Sequence, residues 1–215
     1  GSASLAQVHR AVLQDGTPVA VKVQHASVEA VVASDLSIAR WLEWVASAAF
    51  RDEGFSLAWA IDEFEANVAL ELDFLREARN ATRCRELFAR HRSLSDVVVV
   101  PRVYSSLSSR RLLTMEFIEG VPIKAVCKAV RDNSTASLGC SEHSARKLGL
   151  SVANSLVECF SAMFFTYGFI HCDPHPGNLI VILPPEKRGQ LSAPPKLALL
   201  DHGLYREVLQ KHRLA

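Results

Sequence analysis

The sequence lacks an excess of one charge, and it lacks paired cysteines. Its 24 lysines and arginines balance 23 acidic residues, for a formal net charge of +1, so no overall field attracts nucleic acid or an anionic membrane. At least twelve residues separate each of the five cysteines from the next. This spacing argues against a zinc site or a disulfide framework and suits a reducing compartment or an internal organelle space. An anion that binds this protein must therefore be held by local groups.

A long apolar run is also missing. The most apolar stretch, Leu156 to Ile170, is interrupted by Glu158 and is shorter than the ~20 residues of a membrane-spanning helix, so we expect a buried helix there. No targeting segment precedes the first motif, and this absence does not indicate the cellular compartment of the protein. The chain does have 49% apolar residues over 215 positions, enough to bury a core in one domain or in two small lobes.

The first half of the chain combines two strands with a long helical region. Gln7 to Val12 and Val19 to Gln24 are β-prone and flank the pair Asp15-Gly16, which predicts an antiparallel hairpin. From position 27 to about position 92 the apolar residues recur at three- and four-residue steps, as is typical of helices. We expect these side chains to form the helix core: Trp41, Trp44, Val45, Phe64, Val68, Leu72 and Leu75.

Further strands and one long helix follow. Val97 to Tyr104 contains a nearly unbroken valine run, which predicts a buried strand. Glu142 to Tyr167 predicts a long helix with Gly168 as its C-cap. The other expectations are strands over Arg111–Ile118, Leu179–Leu183 and Lys196–Leu200, and loops over Asp132–Cys140 and Pro184–Pro195.

This order of elements predicts an α+β, protein-kinase-like fold with two lobes. Residues 1–118 are expected to form a small antiparallel sheet lobe with inserted helices. Residues 119–215 are expected to form part of a helical C-terminal lobe that carries the catalytic loop.

The first motif is a loop of small residues followed by a lysine. Residues 1–8 (GSASLAQV) and 19–22 (VAVK) match the kinase pattern G-x-G-x-x-G-x-V and V-A-I-K, with Ala3 and Ala6 in place of two glycines. Alanine resists positive φ and its methyl limits the approach of phosphates, so the loop, including Val8, should hold a nucleotide differently from an ordinary kinase. Lys22 would pair with the α/β-phosphates and a helix carboxylate. The alternative, a solvated surface lysine, is disfavoured by the motifs around it.

Residues 171–178 (HCDPHPGN) carry the strongest signal. A kinase catalytic loop places its asparagine five residues after the catalytic aspartate, and Asp173 and Asn178 keep that interval. Asp173 would orient the attacking hydroxyl or accept its proton, and the side-chain oxygen of Asn178 would bind Mg²⁺. The alternatives are a turn rich in proline and glycine or a His/Asp metal site.

Residues 199–203 (LLDHG) supply the partner motif, an aspartate at the end of a short apolar strand. Asp201 is the expected Mg²⁺ ligand that bridges the β- and γ-phosphates. His202 replaces the phenylalanine of D-F-G. The excess length between Asn178 and Asp201 falls in a surface loop, where an insertion has a small thermodynamic cost.

Residues 71–80 (ELDFLREARN) read as part of a helix. Asp73 and Glu77 share one face at i, i+4, and the pattern alone favours surface ion pairs with Arg76 and Arg79.

Together these motifs resemble the UbiB/ADCK family of atypical kinases over nearly the whole chain, and D-H-G is similar to its mitochondrial branch. The resemblance implies that Glu71 and Asp73 are the E-x-D carboxylates near the nucleotide pocket and that Glu77 pairs with Lys22. It places Glu116 and Ile118 at the hinge, where backbone atoms would bind adenine. It also implies that the chain is truncated at both ends, because the K-x-G-Q helix and the later C-lobe helices of that family are absent.

The implied function is that of an atypical kinase or ATPase that uses ATP and Mg²⁺ and supports ubiquinone or lipid homeostasis. The implied location is mitochondrial, and the implied partners are a nucleotide and an isoprenoid lipid or membrane surface, with no nucleic acid.

Two other functions stay open at this point. A small-molecule phosphotransferase of the aminoglycoside or choline kinase type uses a similar H-x-D-x-x-x-x-N loop, but the E-x-D helix and the alanine loop argue against it. A catalytically silent nucleotide- or lipid-binding scaffold fits the altered loop, but the presence of Lys22, Asp173, Asn178 and Asp201 argues against it.

Overall fold

A computed structural model describes residues 5–50, 56–132, 142–184, 186–187, 190–191 and 193–213. The strands are β1 (Ala6–Val12), β2 (Pro18–Gln24), β3 (Val98–Val99), β4 (Leu112–Glu116), β5 (Val121–Pro122), β6 (Phe169–His171), β7 (Leu179–Ile182), β8 (Glu186–Lys187), β9 (Gln190–Leu191), β10 (Lys196–Leu199) and β11 (Tyr205–Glu207). The helices are α1 (Val28–Ala49), α2 (Ala58–Glu71), α3 (Phe74–Ala89), α4 (Ile123–Arg131), α5 (Glu142–Ser161) and α6 (Gln210–Arg213).

The first sheet is antiparallel and has the strand order β1-β2-β4. The predicted hairpin between β1 and β2 is confirmed: Gly16 has a φ of 87°, the Leu13 amide donates to the Thr17 carbonyl at 2.9 Å, and the Asp15 carboxylate accepts from the Thr17 amide at 2.9 Å. Positive φ is accessible to glycine at little cost. The turn therefore sets a register in which Lys22 lies opposite Val8 on one side and Leu113 on the other.

The second sheet has the order β3-β10-β7-β5. Strands β7 and β10 are antiparallel, with Leu179 opposite Leu199, and the Leu200 amide donates to the Asn178 carbonyl at 2.9 Å. Asn178 directly precedes one strand and Asp201 closely follows the other. The register therefore brings the two predicted metal ligands to the same end of the sheet, and the insertion between them, with the short hairpin β8-β9, leaves from the other end.

Helix α3 contacts both parts of the molecule. Its first half, with Phe74 and Ala78, packs against Leu113 and Met115 of β4. Its second half enters a larger core, which it shares with β7, β10 and α5 through Ala81, Cys84 and Phe88. Strand β3 also pairs with β10, so residues before position 118 contribute to the second sheet.

The apolar helix near the C-terminus is less buried than its composition predicts. Helix α5 continues through a π-helical turn over Ala162–Tyr167 and ends at Gly168 with φ 60°, as predicted for its C-cap. Among the described residues, one helix, Arg146–Tyr167, is long and apolar enough to cross a membrane by length and composition. The expectation of a buried helix is wrong for much of its surface, because Val157 and Phe165 are 68% and 63% exposed.

The expected core of the early helices is also wrong. Trp41 and Trp44 are 60% and 67% exposed, Val45, Phe64 and Leu75 are exposed as well, and Val68 is buried. Within the described part of the chain, α1 packs mainly on α2, and one helix neighbour covers only one face. Helical spacing identified the helices, but it did not identify which face is buried.

Smaller differences concern strand lengths and loops. The predicted strand over Val97–Tyr104 is interrupted at Pro101, which has no amide to donate to a ladder. β3 precedes this proline, and an isolated bridge joins Val103 to Met115 after it. The predicted loop Pro184–Pro195 contains β8 and β9. Of the predicted loop Asp132–Cys140, only Asp132 belongs to the described residues.

Replacing Leu197 with alanine is expected to lower the free energy of unfolding by about 2–5 kcal/mol, because this side chain is 1% exposed within the second sheet. Urea unfolding measures the loss. The matched control is Leu209→Ala at a 62% exposed position, which should change stability by less than about 0.5 kcal/mol. Equal losses in the two variants would contradict the position of the core.

Candidate active site

An ion-pair network lies between the first sheet, α3 and the end of β10; it is buried at Lys22 and Glu77, and the Asp201 side chain is 34% exposed. The Lys22 ammonium donates to both carboxylate oxygens of Glu77, at 2.9 and 2.8 Å, and to Oδ2 of Asp201 at 3.2 Å. The Glu77 side chain is 2% exposed and the Lys22 side chain is 11% exposed. The pattern-based expectation of a surface ion pair is therefore wrong for Glu77, and the pairing with Lys22 implied by the resemblance is present.

Local structure explains how these groups meet. Asp73 is the N-cap of α3, and its side chain accepts hydrogen bonds from the Leu75 and Arg76 amides, which fixes where the helix starts. Glu77 lies one turn later and faces inward. Lys22 reaches it from the central strand of the first sheet, with its ammonium 5.1 Å from the centre of the Phe74 ring.

Burial and the neighbouring charges shift the pKa values of the three groups in different directions. Burial lowers the pKa of Lys22, but the charges of Glu77 and Asp201 outweigh it, so the pKa lies above its usual value. Burial raises the pKa of Asp201, but the Lys22 charge and the Gly203 amide outweigh it, so the pKa lies below its usual value. Burial raises the pKa of Glu77 to about 7, against the opposing charge of Lys22. Lys22 is therefore charged and Asp201 ionised at neutral pH.

The loop over residues 171–178 places its polar groups by internal hydrogen bonds. The Asn178 amide nitrogen donates to Oδ2 of Asp173 at 3.2 Å, and the Asp173 backbone amide donates to Nδ1 of His171 at 3.1 Å. His175 caps the 3₁₀ turn Pro176–Asn178 by accepting from the Gly177 amide at 3.0 Å. The turn expected from proline and glycine is present, and it presents Asp173 and Asn178 side by side.

A cleft of about 640 Å³ opens beside these groups. Of the predicted site residues, it is lined by Val8, Lys22, Glu116, Ile118, Asp173, Asn178 and Asp201. The prediction missed its other lining residues, Ala20, Met115, Phe117, His175, Gly177, Ile180 and Leu200. The two-residue alternation of a strand would have identified Ala20, because it lies on the same face of β2 as Lys22.

The other predicted residues lie outside this cleft. Ala6 and Glu71 line a smaller adjoining cavity of about 100 Å³, which also contacts Lys22 and Glu77. Burial raises the pKa of Glu71, and the nearby charges of Asp201 and Asp173 add to the effect. Asp73 lines neither cavity: it caps α3, and its carboxylate lies 3.7 Å from the Arg79 guanidinium. Ala3 lies outside the described residues.

His202 is a buried residue next to Asp201, which lines the cleft. Its Nε2 lies 3.0 Å from the Leu199 carbonyl and its Nδ1 lies 2.9 Å from the Tyr205 hydroxyl. Since a carbonyl only accepts, we assign the proton to Nε2, and Nδ1 accepts from Tyr205. Burial lowers the pKa of His202 to about 4. The ring is therefore neutral at physiological pH, and it is held in a single tautomer.

Asn80 connects His202 to α3. Its side-chain amide donates to the His202 carbonyl at 2.9 Å. Helix α3 therefore contacts two consecutive residues: Asp201 indirectly, through the Lys22 that pairs with Glu77, and His202 directly, through Asn80. The roles of Asn80 and Tyr205 were missed by the sequence prediction, although Asn80 is the last residue of the motif at residues 71–80.

The sequence matches the ABC1 atypical kinase-like domain over residues 1–215. The chain belongs to the ABC1 atypical kinase-like family. It is 39% identical over 214 residues to the AarF domain-containing protein kinase 1 of Gallus gallus, covering 100% of this chain and 37% of that protein. It is 37% identical over 213 residues to the probable serine/threonine-protein kinase abkD of Dictyostelium discoideum, covering 99% of this chain and 27% of that protein. The chain thus spans well under half the length of these relatives.

A solved structure shares the ABC1 domain's architecture. It is Rv3197 of Mycobacterium tuberculosis, determined in complex with erythromycin, and it is similar with a TM-score of 0.62 and 25% identity. The match covers 96% of this chain and 45% of that one. The predicted α+β kinase-like fold is confirmed, as is the resemblance on which the expected function was based.

Acidification is expected to destabilise the ABC1 domain through His202. The folded state holds this ring neutral with a pKa of about 4, whereas an unfolded histidine titrates near 6.5, so the unfolded state binds more protons between these values. From pH 7 to pH 5 this group should therefore lower the free energy of unfolding by roughly 2 kcal/mol. Glu77 acts in the opposite direction, because its folded-state pKa of about 7 makes the folded state bind a proton over the same range.

Urea titrations at both pH values measure this fall in the wild type and in His202→Phe, which keeps an aromatic ring but removes the titration. The variant should lose less stability on acidification. The difference between the two proteins isolates His202, because Glu77 and His171 titrate in both. An undiminished fall in His202→Phe would show that another group is responsible.

Proposed function

We propose that this domain binds ATP with Mg²⁺ and transfers the γ-phosphoryl group to an acceptor hydroxyl or to water. One observation carries the proposal: Lys22, Asp173, Asn178 and Asp201, from three distant segments of the chain, line the same cleft. Each matches a kinase motif in type and spacing, and each lies beside the others as phosphoryl transfer requires.

The far end of the cleft suits a nucleobase. Ala20, Met115 and Ile180 give it apolar walls. Residues 116–118 run along its edge, where the Phe117 amide donates to the Pro18 carbonyl at 3.4 Å. The Glu116 carboxylate is engaged elsewhere, accepting from the Arg102 amide at 3.1 Å, so this residue would contact the base through its backbone. The base would bind here and the phosphates would extend toward Lys22.

The donor set at the phosphate end fits Mg²⁺. Mg²⁺ prefers oxygen ligands and is commonly held by one or two protein groups together with phosphates and water. Asp201 is ionised, and Asn178 uses its nitrogen on Asp173, which leaves its side-chain oxygen to coordinate. Among the described residues, no group of three or more His, Cys, Asp or Glu side chains forms a metal cage. When bound, the ion would neutralise phosphate charge.

The chain's own groups would position the reactants. Lys22 would hold the α- and β-phosphates, and Glu77 would keep the lysine extended. Asp173 would orient the acceptor and take its proton as the acceptor oxygen forms a bond to the γ-phosphorus and the bond to the β-phosphate oxygen breaks. When water is the acceptor, the same steps constitute ATP hydrolysis. The family assignment supports a phosphotransferase at a general level.

The cellular role that we propose rests on the family resemblance: support of ubiquinone or lipid homeostasis in the mitochondrion, with an isoprenoid lipid or membrane surface as partner. Cell fractionation of the tagged full-length protein checks the location. Recovery outside the mitochondrial fraction would contradict this part of the proposal without affecting the site.

Nucleotide binding is expected to raise the melting temperature. ATP at 100 times its Kd stabilises a protein by about 2.7 kcal/mol, roughly 5–10 °C for a chain of this size. The rise should require Mg²⁺ and should be lost in Asp201→Ala but kept in Asp96→Ala, whose side chain is exposed and lines neither cavity. A scan by differential scanning fluorimetry measures it. No response in the wild type would favour the scaffold alternative.

Turnover is expected to depend on Asp173 more than binding does. Asp173→Asn removes the proton acceptor and keeps the shape of the side chain, so the ATP-dependent shift should persist while phosphate release or acceptor phosphorylation falls at least ~100-fold. Asp96→Asn serves as the matched control. Equal turnover in wild type and Asp173→Asn would exclude the proposed base. A metabolite consumed in an acceptor screen would favour the small-molecule phosphotransferase.

A further inference from the structure

His175 lines the nucleotide cleft, and its two ring nitrogens have different surroundings. Nδ1 accepts from the Gly177 backbone amide at 3.0 Å. Because a backbone amide only donates, Nδ1 carries no proton, and the proton of the neutral ring is on Nε2. Among the described residues, no group accepts a hydrogen bond from this Nε2. The ring therefore presents an uncommitted N–H donor at the cleft.

Capping of the short turn Pro176–Asn178 does not by itself require a histidine. Serine, threonine, asparagine and aspartate are the residues preferred at an N-cap, because their side-chain oxygens reach the first amides of the turn. The turn also fits closely around the imidazole, since a Cβ added to Gly177 would lie 2.9 Å from Nδ1 of His175. What histidine adds is a second nitrogen that lies farther from the backbone than any atom of the preferred caps.

The imidazole belongs to the end of the cleft where the phosphates would bind. Asp173 lies two residues before His175, and the Asn178 backbone amide donates to the His175 carbonyl at 2.9 Å. The side chains of Asp173 and Asn178 are themselves joined at 3.2 Å. The proposed base, the proposed metal ligand and the imidazole therefore lie on one hydrogen-bonded turn, and all three line the cleft.

Few side chains at this end of the cleft could hold a terminal phosphate. Among the described residues that line it, those with side-chain N–H groups are Lys22, His175 and Asn178. Lys22 is already paired with two carboxylates, and the Asn178 nitrogen donates to Asp173. The carboxylates of Asp173 and Asp201 would repel a phosphate. A donor is therefore needed beside them, in addition to Mg²⁺, and His175 has one.

We propose that Nε2–H of His175 donates a hydrogen bond to a γ-phosphate oxygen of ATP and stabilises the charge on this group during its transfer. The inference rests on the proposed ATP-dependent phosphoryl transfer, because it assigns a further residue to the same site. The Gly177 amide fixes the tautomer before the nucleotide binds, and a preorganised donor requires no rearrangement during the reaction. His175 makes no bond to phosphorus and takes no proton, and Asp173 keeps the role of base.

Two substitutions separate the capping nitrogen from the proposed donor. In His175→Asn the side-chain oxygen lies as many bonds from the backbone as Nδ1, so it can still accept from Gly177, but Nε2–H is lost. In His175→Gln the amide nitrogen lies as many bonds from the backbone as Nε2, so a donor remains in the cleft. The matched control is His212→Asn, at an exposed position that lines neither the cleft nor the adjoining cavity.

Calorimetric titration of the full-length protein with ATP and with ADP, each with Mg²⁺, measures the contact. His175→Asn should weaken ATP binding at least roughly tenfold, because it removes a hydrogen bond to a charged group. ADP has no γ-phosphate and should bind as tightly as to the wild type. Phosphate release or acceptor phosphorylation should fall at least ~100-fold. His175→Gln should recover most of both losses, and His212→Asn should match the wild type.

Equal weakening of ATP and ADP binding by His175→Asn would overturn the inference, because a contact with the γ-phosphate cannot affect ADP. An unchanged ratio of the two dissociation constants, or no recovery in His175→Gln, would also overturn it. If the wild type binds neither nucleotide, the inference fails together with the proposed function. If the wild type binds ATP with Mg²⁺ and the ratio is the same in His175→Asn, the inference alone fails.

Discussion

The buried pairing of Lys22 with Glu77 and Asp201 is the constraint on which the rest of the structure depends. Lys22 and Glu77 lose hydration because they are buried, whereas the Asp201 side chain is 34% exposed. In general the removal of one partner of a buried pair costs about 3–5 kcal/mol, because the other charge stays buried. Lys22 comes from the first sheet, Glu77 from α3, and Asp201 from the end of β10. The three elements are therefore fixed relative to one another by one set of contacts.

Helix α3 connects the ion-pair network to both hydrophobic cores. It packs on β4 at its start and enters the larger core at its end, so the position of Glu77 is set by apolar contacts on both sides. Asn80 fixes the backbone of His202, and the neutral ring of His202 fills the space beneath the cleft. A histidine at the position where the D-F-G motif has phenylalanine thus acts here as a packed and hydrogen-bonded core residue.

The sequence by itself determined the kinase-like fold, the hairpin at Asp15-Gly16, the C-cap at Gly168 and half of the residues that line the cleft, because these depend on local geometry or on fixed motif spacing. Only the tertiary structure decided which helix faces are buried: Trp41 and Trp44 have helical spacing yet are exposed, and Glu77 has the pattern of a surface residue yet is buried. The spacing of apolar residues indicates that a helix has an apolar face, whereas the burial of that face depends on whether another element packs against it. The same reason explains Asn80 and Tyr205, whose roles arise from contacts with His202.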